Sequence, residues 1–474
     1  MKIKNKLISN VIASGLFQFF FLIVPVITTP YVTRIFSPQN MGLYATSYAV
    51  AMFLMQVAHF GLPIYGIRVI AQTRDINKSF FELFSLQLIM CSITFVVFNI
   101  FNFYLIKEKQ VYFYQSLLIL VTVFDVSWFF IGIEEIKKNL VRNAFSKMIV
   151  IIFIFLFVKE SSDLLLYIKI NVLGNLLGNL TMILQLKNYI SWNRLSLKLN
   201  SLHLRSSLGL LIPQSVDSGK NAISRLILVY SSSYNQGGLY DQGIKVIIML
   251  NGIIGSMGGA ITPRIAYLVK KERYEDIVEI STNFLNVIYI SSIVIISGVL
   301  VTAGYFTNIF FGESFKGVSS IMQIGSFSLL FGSVSLFLGK SLLVPFSRDK
   351  IYRNISLQSS IILIISNIIL DPFYGATGAA VSFAISSVFW CITSFIGLKD
   401  IIKLENQIYN ILFCVIFILL NYYLISNLEK YWYKDNSIFM MITNGFSSVL
   451  ISLGFILFFL YIKKIDVKHL IGRK

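Results

Sequence analysis

The stretch GLYATSYAV at residues 42–50 returns 196 residues later as GLYDQGIKV at residues 238–246. The triplet Gly-Leu-Tyr opens both copies, and Val50 matches Val246. Arg68 and Arg264 repeat at the same spacing, each in a basic segment that follows an apolar run. A common spacing over several positions indicates that the chain contains an internal duplication.

The composition around this repeat is that of a membrane protein. Of the 474 residues, 56% are hydrophobic and only 13% are charged, and the mean hydropathy is +0.76. A soluble protein carries about 25% charged residues. The net charge of +18 is spread over short loops, which argues against nucleic acid as a partner. The three cysteines lie in apolar runs and the three histidines are scattered, so we expect no disulfide framework, metal site or cofactor.

Fourteen apolar stretches are long enough to cross a bilayer, which takes about 17–25 residues. The predicted spans are 8–29, 41–62, 80–106, 111–133, 140–158, 163–186, 207–230, 240–263, 283–305, 317–343, 354–371, 376–398, 408–427 and 438–462. With the N-terminus inside, the inner segments hold 27 Lys and Arg and the outer segments hold 7. By the positive-inside rule, both termini are expected to be cytoplasmic. The first apolar run lacks a signal-peptide cleavage site, so we expect it to remain as a spanning helix.

The duplication and the spans together predict an all-α polytopic membrane protein. Six spans in each copy would place both halves in the same orientation, with a cavity between them. We therefore expect a six-helix bundle at 1–186 and a polar cytoplasmic linker at 187–206. A second six-helix bundle is expected at 207–400, followed by two extra spans and a basic tail at 401–474.

Charged residues inside the spans are the candidate functional residues, because each costs about 2.5–3.5 kcal/mol at a helix centre. The candidates are Asp125, Lys147, Lys169, Asp217, Lys220, Arg225, Lys245 and Lys340. Four of the lysines (147, 169, 245 and 340) lie near span ends, where a long side chain can reach the headgroups. Six bases against two acids predict a cationic interior, which suits phosphate or another anion.

The seventh span, SLGLLIPQSVDSGKNAISRLILVY at 207–230, is the most polar. At helical periodicity its polar side chains fall in an arc of about 120°, and they are Gln214, Asp217, Ser218, Asn221, Ser224 and Arg225. Such an arc can face a water-filled cavity. Alternatively, Asp217 and Lys220 form an ion pair within the helix that only stabilises it, although that alternative provides no partner for Arg225.

Two further polar features leave alternatives open. Asp125, in the middle of the fourth span, is either a buried hydrogen-bonded carboxyl or an ion-pair or proton site that lines the cavity. The sixth span carries a row of amides at intervals of four residues, made of Asn171, Asn175 and Asn179. Amides can bond sugar hydroxyls or neighbouring helices. Packing is favoured here, because Gly174 and Gly178 form a GxxxG motif on an adjacent face.

The sequence lacks features that catalysis or ATP hydrolysis would need. No GxxxxGK[ST] phosphate-binding loop occurs. Apart from the termini, no predicted loop exceeds about 20 residues, and the outer loops have about 14 or fewer. Membrane glycosyltransferases and polysaccharide polymerases usually carry catalytic residues in a longer outer loop. Transport by a mobile fold is therefore favoured over an enzyme.

Several stretches resemble the Wzx-type polysaccharide transporter family of the MATE-like superfamily. They are TTPYVTRIFSPQNMGLYATSYAV (28–50), FDVSWFFIGIEEIKKNLVRNAFSKM (124–148), GGLYDQGIKVIIM (237–249), TPRIAYLV (262–269) and YGATGAAVSFAISS (374–387). The resemblance extends from about residue 8 to residue 400. It implies a twelve-helix core in two bundles plus two extra helices, a cationic lumen and alternating access. It also implies a bacterial cytoplasmic membrane, a lipid-linked oligosaccharide as substrate, and a polysaccharide polymerase and chain-length regulator as partners.

The expected function is therefore to flip a polyprenyl-diphosphate-linked oligosaccharide for O-antigen, capsule or exopolysaccharide assembly, driven by the membrane potential or an ion gradient. From this chain's own charges, the predicted ligands of the diphosphate are Lys220, Arg225, Lys245 and Arg34. The predicted polar or coupling residues of the lumen are Asp125, Asp217, Asn221, Gln214 and Lys169. The alternatives are a MATE-type exporter of cationic drugs, which would rely on lumen carboxylates, and a flippase for peptidoglycan precursors.

Overall fold

A computed structural model describes residues 23–191, 200–402, 404–431 and 437–463. All regular secondary structure in these ranges is helical. The helices are 23–35 (α1), Pro38–His59 (α2), Leu62–Gln72 (α3), Ile76–Leu105 (α4), Lys109–Val121 (α5), Ser127–Gly132 (α6), Ile136–Phe157 (α7), Leu164–Leu186 (α8), Ser201–Ser231 (α9), Tyr234–Lys270 (α10), Tyr274–Phe310 (α11), Val318–Leu336 (α12), Asp349–Ile396 (α13), Leu404–Leu428 (α14) and Ser437–Lys463 (α15). The predicted all-α fold is confirmed.

Ten of the described helical stretches are long and apolar enough to cross a membrane. The predicted seventh and eighth spans correspond to α9 and α10, which are not among the ten. The single helix α13 covers two predicted spans, and most of the first predicted span, 8–29, lies outside the described residues. The multi-pass architecture is confirmed, whereas the count of fourteen stays a prediction.

The long helix α13 contains a sharp break at Gly375, between the two spans predicted there. Gly375 has φ +55° and ψ −131°, a conformation that only glycine adopts readily. The amide N–H of Ala376 donates to Oε1 of Gln236 over 3.0 Å, so the second half of α13 begins with a side-chain cap. Phe373 and Tyr374 just before the break are exposed. The break is therefore the turn of a hairpin.

The chain divides into two compact units, Met1–Leu226 (unit 1) and Ile227–Lys474 (unit 2). The boundary lies within α9 and not at the end of a helix. The predicted division into two bundles, a linker and two extra spans stays a prediction, and residues 192–199 of that linker lie outside the described ranges.

An aromatic core joins α3, α4 and α6 of unit 1. Phe80 of α4 stacks on Trp128 of α6 with ring centroids 5.6 Å apart, and it meets Phe129 edge to face at 5.4 Å. All three rings are buried. A Cβ on Gly66 of α3 would lie 2.9 Å from the indole of Trp128, so only glycine fits there. This core fixes α6 against α3 and α4.

Within unit 1, hydrogen bonds join the start of α9 to α3 and α4. We call this arrangement the histidine latch. His203 lies between Tyr65 of α3 and Glu82 of α4, with its Nδ1 2.8 Å from the tyrosine hydroxyl and its Nε2 2.9 Å from a carboxylate oxygen. All three side chains are largely buried. Nearby, a Cβ on Gly61 would lie 2.4 Å from the carbonyl oxygen of Ser207, so the backbones of α9 and the α2–α3 bend are in close contact.

In unit 2, the last two helices pack on α11 and on each other through amides and hydroxyls. Asn421 of α14 donates to the carbonyl oxygen of Ser448 and to the hydroxyl of Ser452 on α15, each over 3.0 Å. Tyr289 of α11 donates to Oε1 of Gln407 over 2.9 Å. Such interhelical bonds hold helices together where water does not compete.

Candidate functional site

The candidate site forms around a break in the predicted fourth span. The helix α5 ends at Val121, a 3₁₀ turn covers Thr122–Phe124, and α6 begins only at Ser127. The amide of Gln87 donates to the carbonyl oxygens of Thr122 (2.6 Å) and Asp125 (3.0 Å), and Trp128 donates to Oε1 of Gln87 over 2.8 Å. A non-helical backbone at membrane depth must be satisfied in this way. The predicted unbroken helix at 111–133 is therefore wrong, because the chain leaves the α-helix between Val121 and Ser127.

Asp125, whose side chain is 24% exposed, forms an ion pair with the buried Arg142 of α7. Oδ1 of Asp125 lies 2.8 Å from Nη1 of Arg142 and also accepts the N–H of Ser127 at 3.0 Å. Asn179 accepts a bond from Nη1 of the same guanidinium over 3.1 Å, and Asn143 accepts two more from Nε and Nη2. The side chain of Arg142 is only 9% exposed. The guanidinium of Arg142 therefore donates to three side chains, which are those of Asp125, Asn143 and Asn179.

A small polar cavity of about 70 Å³ adjoins this pair. Its lining consists of Met55, Val121, Thr122, Asp125, Arg142, Asn143, Ser146, Asn175, Gly178 and Asn179. The space holds a few water molecules but no sugar ring. Nε2 of His59 lies 3.9 Å from the second carboxylate oxygen of Asp125, and Nδ1 of this histidine has no hydrogen-bond partner among the described residues. A proton can therefore reside on Asp125 or His59, and its arrival on Asp125 would weaken the ion pair between Asp125 and Arg142.

The structure answers both questions left open for Asp125 and the amide row. Asp125 is a hydrogen-bonded carboxyl, an ion-pair partner and a cavity-lining group at once. Asn179 bonds neighbouring helices, since its Nδ2 donates to the carbonyl oxygen of Val121 over 2.9 Å. Asn171 and Asn175 instead donate to carbonyl oxygens of α8 itself. Packing therefore explains one of the three asparagines.

The predicted packing role of the GxxxG motif fits the structure. A Cβ on Gly174 would lie 2.1 Å from Val150, and one on Gly178 would lie 2.7 Å from Ser146. Ser146 also donates to the carbonyl oxygen of Gly174 over 2.7 Å. These contacts bring α8 against α7, where Arg142 lies.

The predicted diphosphate ligands in unit 1 lie on two helices. Lys220 and Arg225 of α9 are half-buried, and Nη1 of Arg225 is 3.4 Å from the carbonyl oxygen of Asn221. Arg34 near the end of α1 is exposed and donates to the carbonyl oxygen of Pro30 over 2.8 Å. Asn221 is exposed, whereas Ser224 is buried. The side chains of Gln214 and Asp217 lie outside the described part, so the proposed Asp217–Lys220 pair stays a prediction.

Two lysines have partners that the sequence did not indicate. Nζ of Lys245 in α10 lies 3.2 Å from Oδ2 of Asp241, one turn away, and this carboxylate is buried. Nζ of Lys169 lies 4.4 Å from the ring centre of Tyr114. Lys169 is two residues, or about 200° of helix rotation, from Asn171, so it points away from the amide row. The predicted lumen role of Lys169 stays a prediction.

Four largely buried charged residues within the predicted spans were missed: Glu82, Arg142, Asp241 and Asp371. Each lies within two residues of the end of its predicted span, where a charge can reach the headgroups, yet in the structure all four are largely buried. Both carboxylate oxygens of Asp371 lack a hydrogen-bond partner in the described part of the chain. With these four added, the candidate charges are seven bases against five acids, a smaller cationic excess than six against two.

Comparison with solved structures identifies the fold. The chain is similar to the lipid II flippase MurJ in an inward closed conformation, with a TM-score of 0.77 and 13% identity over 96% of this chain and 99% of that one. It is also similar to an inward-facing multidrug resistance MATE family transporter of the MOP superfamily, with a TM-score of 0.61 and 12% identity over 80% of this chain and 97% of that one. The protein thus has the MATE-like polytopic fold.

Sequence comparison gives the family. Residues 7–269, more than half of the chain, match the family described as polysaccharide biosynthesis protein, and the chain belongs to it. A relative in Shigella dysenteriae named "Putative O-antigen transporter" is 22% identical over 77% of this chain and 93% of its own length. A relative of the same name in Escherichia coli strain K12 is 19% identical over 80% of this chain and 93% of its own length. The resemblance to the polysaccharide transporter family drawn from the sequence is confirmed.

Proposed function

We propose that the protein flips a polyprenyl-diphosphate-linked oligosaccharide from the cytoplasmic to the outer leaflet of a bacterial inner membrane. One observation carries this proposal: relatives named as O-antigen transporters match over 93% of their length. The fold, which is similar to that of a lipid flippase over nearly the whole chain, supports it. A transporter of this kind would work beside a polysaccharide polymerase and a chain-length regulator in the same membrane, with both of its own termini in the cytoplasm.

The cations near the middle and outer end of α9 are the proposed ligands of the diphosphate. Arg225 would bind two oxygens at once, while Lys220 would act as a point charge. Lys245 and Arg34 are the additional candidates, but the charge of Lys245 is already offset by Asp241. The sugars would occupy an aqueous lumen and the polyprenyl tail would stay in lipid during alternating access.

The membrane potential can supply the driving force. With the cell interior negative, moving a charge of −2 outward is downhill by about 4.6 kcal/mol per 100 mV, twice the single-charge value. Asp125 is the proposed coupling group in unit 1. A proton taken up from outside would neutralise its carboxylate, weaken the ion pair with Arg142 and allow the empty carrier to return.

The test is an assay of lipid-linked repeat units in a strain that carries each variant in place of the native protein. We expect Arg225→Ala and Lys220→Ala to leave repeat units on the inner leaflet while the protein remains abundant, and Arg225→Lys to restore export partly. Lys316→Ala is the matched control, because Lys316 is exposed and pairs with the exposed Glu313. Normal export by both alanine variants would disprove the role of these cations.

The same strains distinguish the alternatives. A drug exporter predicts that loss of the protein raises susceptibility to cationic drugs and leaves surface glycan unchanged. A flippase for peptidoglycan precursors predicts that loss of the protein stops cell-wall growth. Loss of surface glycan alone, in cells that otherwise grow normally, is the outcome that the proposal requires.

A further inference from the structure

Unit 1 contains a continuous row of tyrosines and asparagines between α2 and α8, which we call the tyrosine–asparagine track. Its members are Tyr44, Tyr48, Tyr167, Asn171 and Asn175. The rings of Tyr44 and Tyr48, one turn apart on α2, are stacked with centroids 5.7 Å apart and 10° between their planes. Tyr167 of α8 meets Tyr44 edge to face at 4.9 Å. These contacts join the two helices at their predicted outer ends.

The amides of the track have accessible acceptors. Asn171 and Asn175 each donate to the backbone carbonyl four residues earlier, over 2.8 Å, which fixes the orientation of the side chain. Among the described residues, no donor bonds to Oδ1 of either asparagine. All five side chains of the track are half-buried. The track therefore presents fixed, partly exposed amide oxygens beside partly exposed aromatic rings.

The location of the track argues for a wet surface and against a lipid-facing one. A polar group without a partner in the hydrocarbon costs several kcal/mol, so two successive amides in the middle of a span are not left facing acyl chains. At its inner end the row reaches the polar cavity, since Asn175 lines that cavity together with Asp125 and Arg142. The track thus extends from the outer end of unit 1 to the ion pair.

We propose that the tyrosine–asparagine track binds the sugar residues of the lipid-linked oligosaccharide. The inference rests on the proposed function and adds the location of the glycan to it. Amide groups hydrogen-bond hydroxyls, and the faces of tyrosine rings cover the apolar C–H side of a pyranose, so both parts of the track match a neutral carbohydrate. The stretch from Tyr167 to Asn175 covers about 12 Å at 1.5 Å per residue, enough for a short oligosaccharide. No member of the track is charged, which leaves the diphosphate to the cations of α9.

The probe for this inference is the free repeat-unit oligosaccharide, released by mild acid from the lipid-linked pool of the host. Its binding to the purified full-length protein in lipid nanodiscs is measured by saturation-transfer NMR at millimolar oligosaccharide. We expect Asn171→Leu to weaken binding about tenfold, comparable to the loss of one hydrogen bond, and Tyr48→Ala to weaken it to a similar extent because it removes the ring. Tyr48→Phe should keep most of the affinity, because it keeps the ring. Phe101→Ala, at an exposed ring of α4, is the control and should bind like the native protein.

The outcomes separate this inference from the proposed function. Equal binding by the native protein and by both track variants overturns the inference, and so does an absence of saturation transfer to the native protein. In either case the proposed function still stands if deletion of the protein abolishes surface glycan. If surface glycan persists in the deletion strain, the proposed function itself fails. A loss of binding confined to the two track variants, with unchanged thermal stability, supports the inference.

Discussion

Removal of either partner of the Asp125–Arg142 pair should destabilise the protein strongly. At 2.8 Å and an effective dielectric constant of about 20, the gross attraction between the two charges is about 6 kcal/mol. Much of it offsets the cost of taking the charges out of water, but a lone buried charge retains that cost without compensation. We therefore expect Arg142→Gln or Asp125→Asn to lower the free energy of unfolding by about 3–5 kcal/mol.

The double variant Asp125→Asn/Arg142→Gln provides the decisive comparison. It removes both charges of the pair, and its two amides can still hydrogen-bond each other and Asn179. We expect it to recover most of the stability lost in either single variant. This recovery is the signature of an ion pair and would not arise if each side chain contributed only by packing.

The assay is thermal unfolding of the purified protein in detergent. The quantity measured is the fraction of the protein that remains monodisperse after heating. Glu313→Gln is the matched control, because Glu313 pairs with Lys316 at an exposed turn and such pairs contribute at most about 1 kcal/mol. The reasoning is refuted if the single variants are as stable as this control, or if the double variant is no more stable than the single ones. A stable double variant that no longer exports glycan would show that the pair takes part in the transport cycle.

Three further predictions concern topology, the histidine latch and the α13 hairpin. A cysteine at Phe373 should react with an impermeant thiol reagent from outside, and one at Lys350 only after permeabilisation; the reverse pattern would contradict the orientation. His203→Ala should lower the free energy of unfolding by about 1–3 kcal/mol, because Tyr65 and Glu82 each lose a hydrogen-bond partner, while Asn200 still donates to Glu82; unchanged thermal unfolding would contradict the latch. Gly375→Ala should cost about 1–3 kcal/mol through its positive φ, whereas Gly304→Ala, in a helix with open space around it, should leave stability unchanged or raise it.

Much of the fold could be predicted from the sequence, because long apolar runs indicate the spans and a glycine can mark the boundary between two of them. The boundary between the predicted spans 354–371 and 376–398 falls next to Gly375, where the helix breaks. The break at Asp125 was missed, because neither glycine nor proline marks it. It depends on Gln87, which lies 35 residues before Thr122, the residue whose carbonyl oxygen it satisfies, and hydropathy carries no information about such a distant partner.

The candidate site was predicted only in part for a related reason. Asp125 stood out because it lies in the middle of an apolar run. Its partner Arg142 follows two lysines at the start of the next span, where a basic residue is expected on the cytoplasmic side. Position along the sequence gives the depth of a side chain but not its direction, so a buried arginine and a snorkelling arginine look alike before the packing of α7 against α8 is known.

The ion pair also has a consequence for how the chain enters the membrane. Asp125 and Arg142 belong to consecutive predicted spans and are separated by only 17 residues. The ribosome therefore synthesises the two residues within seconds of each other. Inserted without a partner, Asp125 would cost about 2.5–3.5 kcal/mol in the middle of its span. If α5–α6 and α7 leave the translocon together as one hairpin, the charges can neutralise each other before either meets lipid. The pair would then act as an early checkpoint of biogenesis, and chains unable to form it would be exposed to membrane proteases before the second unit is synthesised.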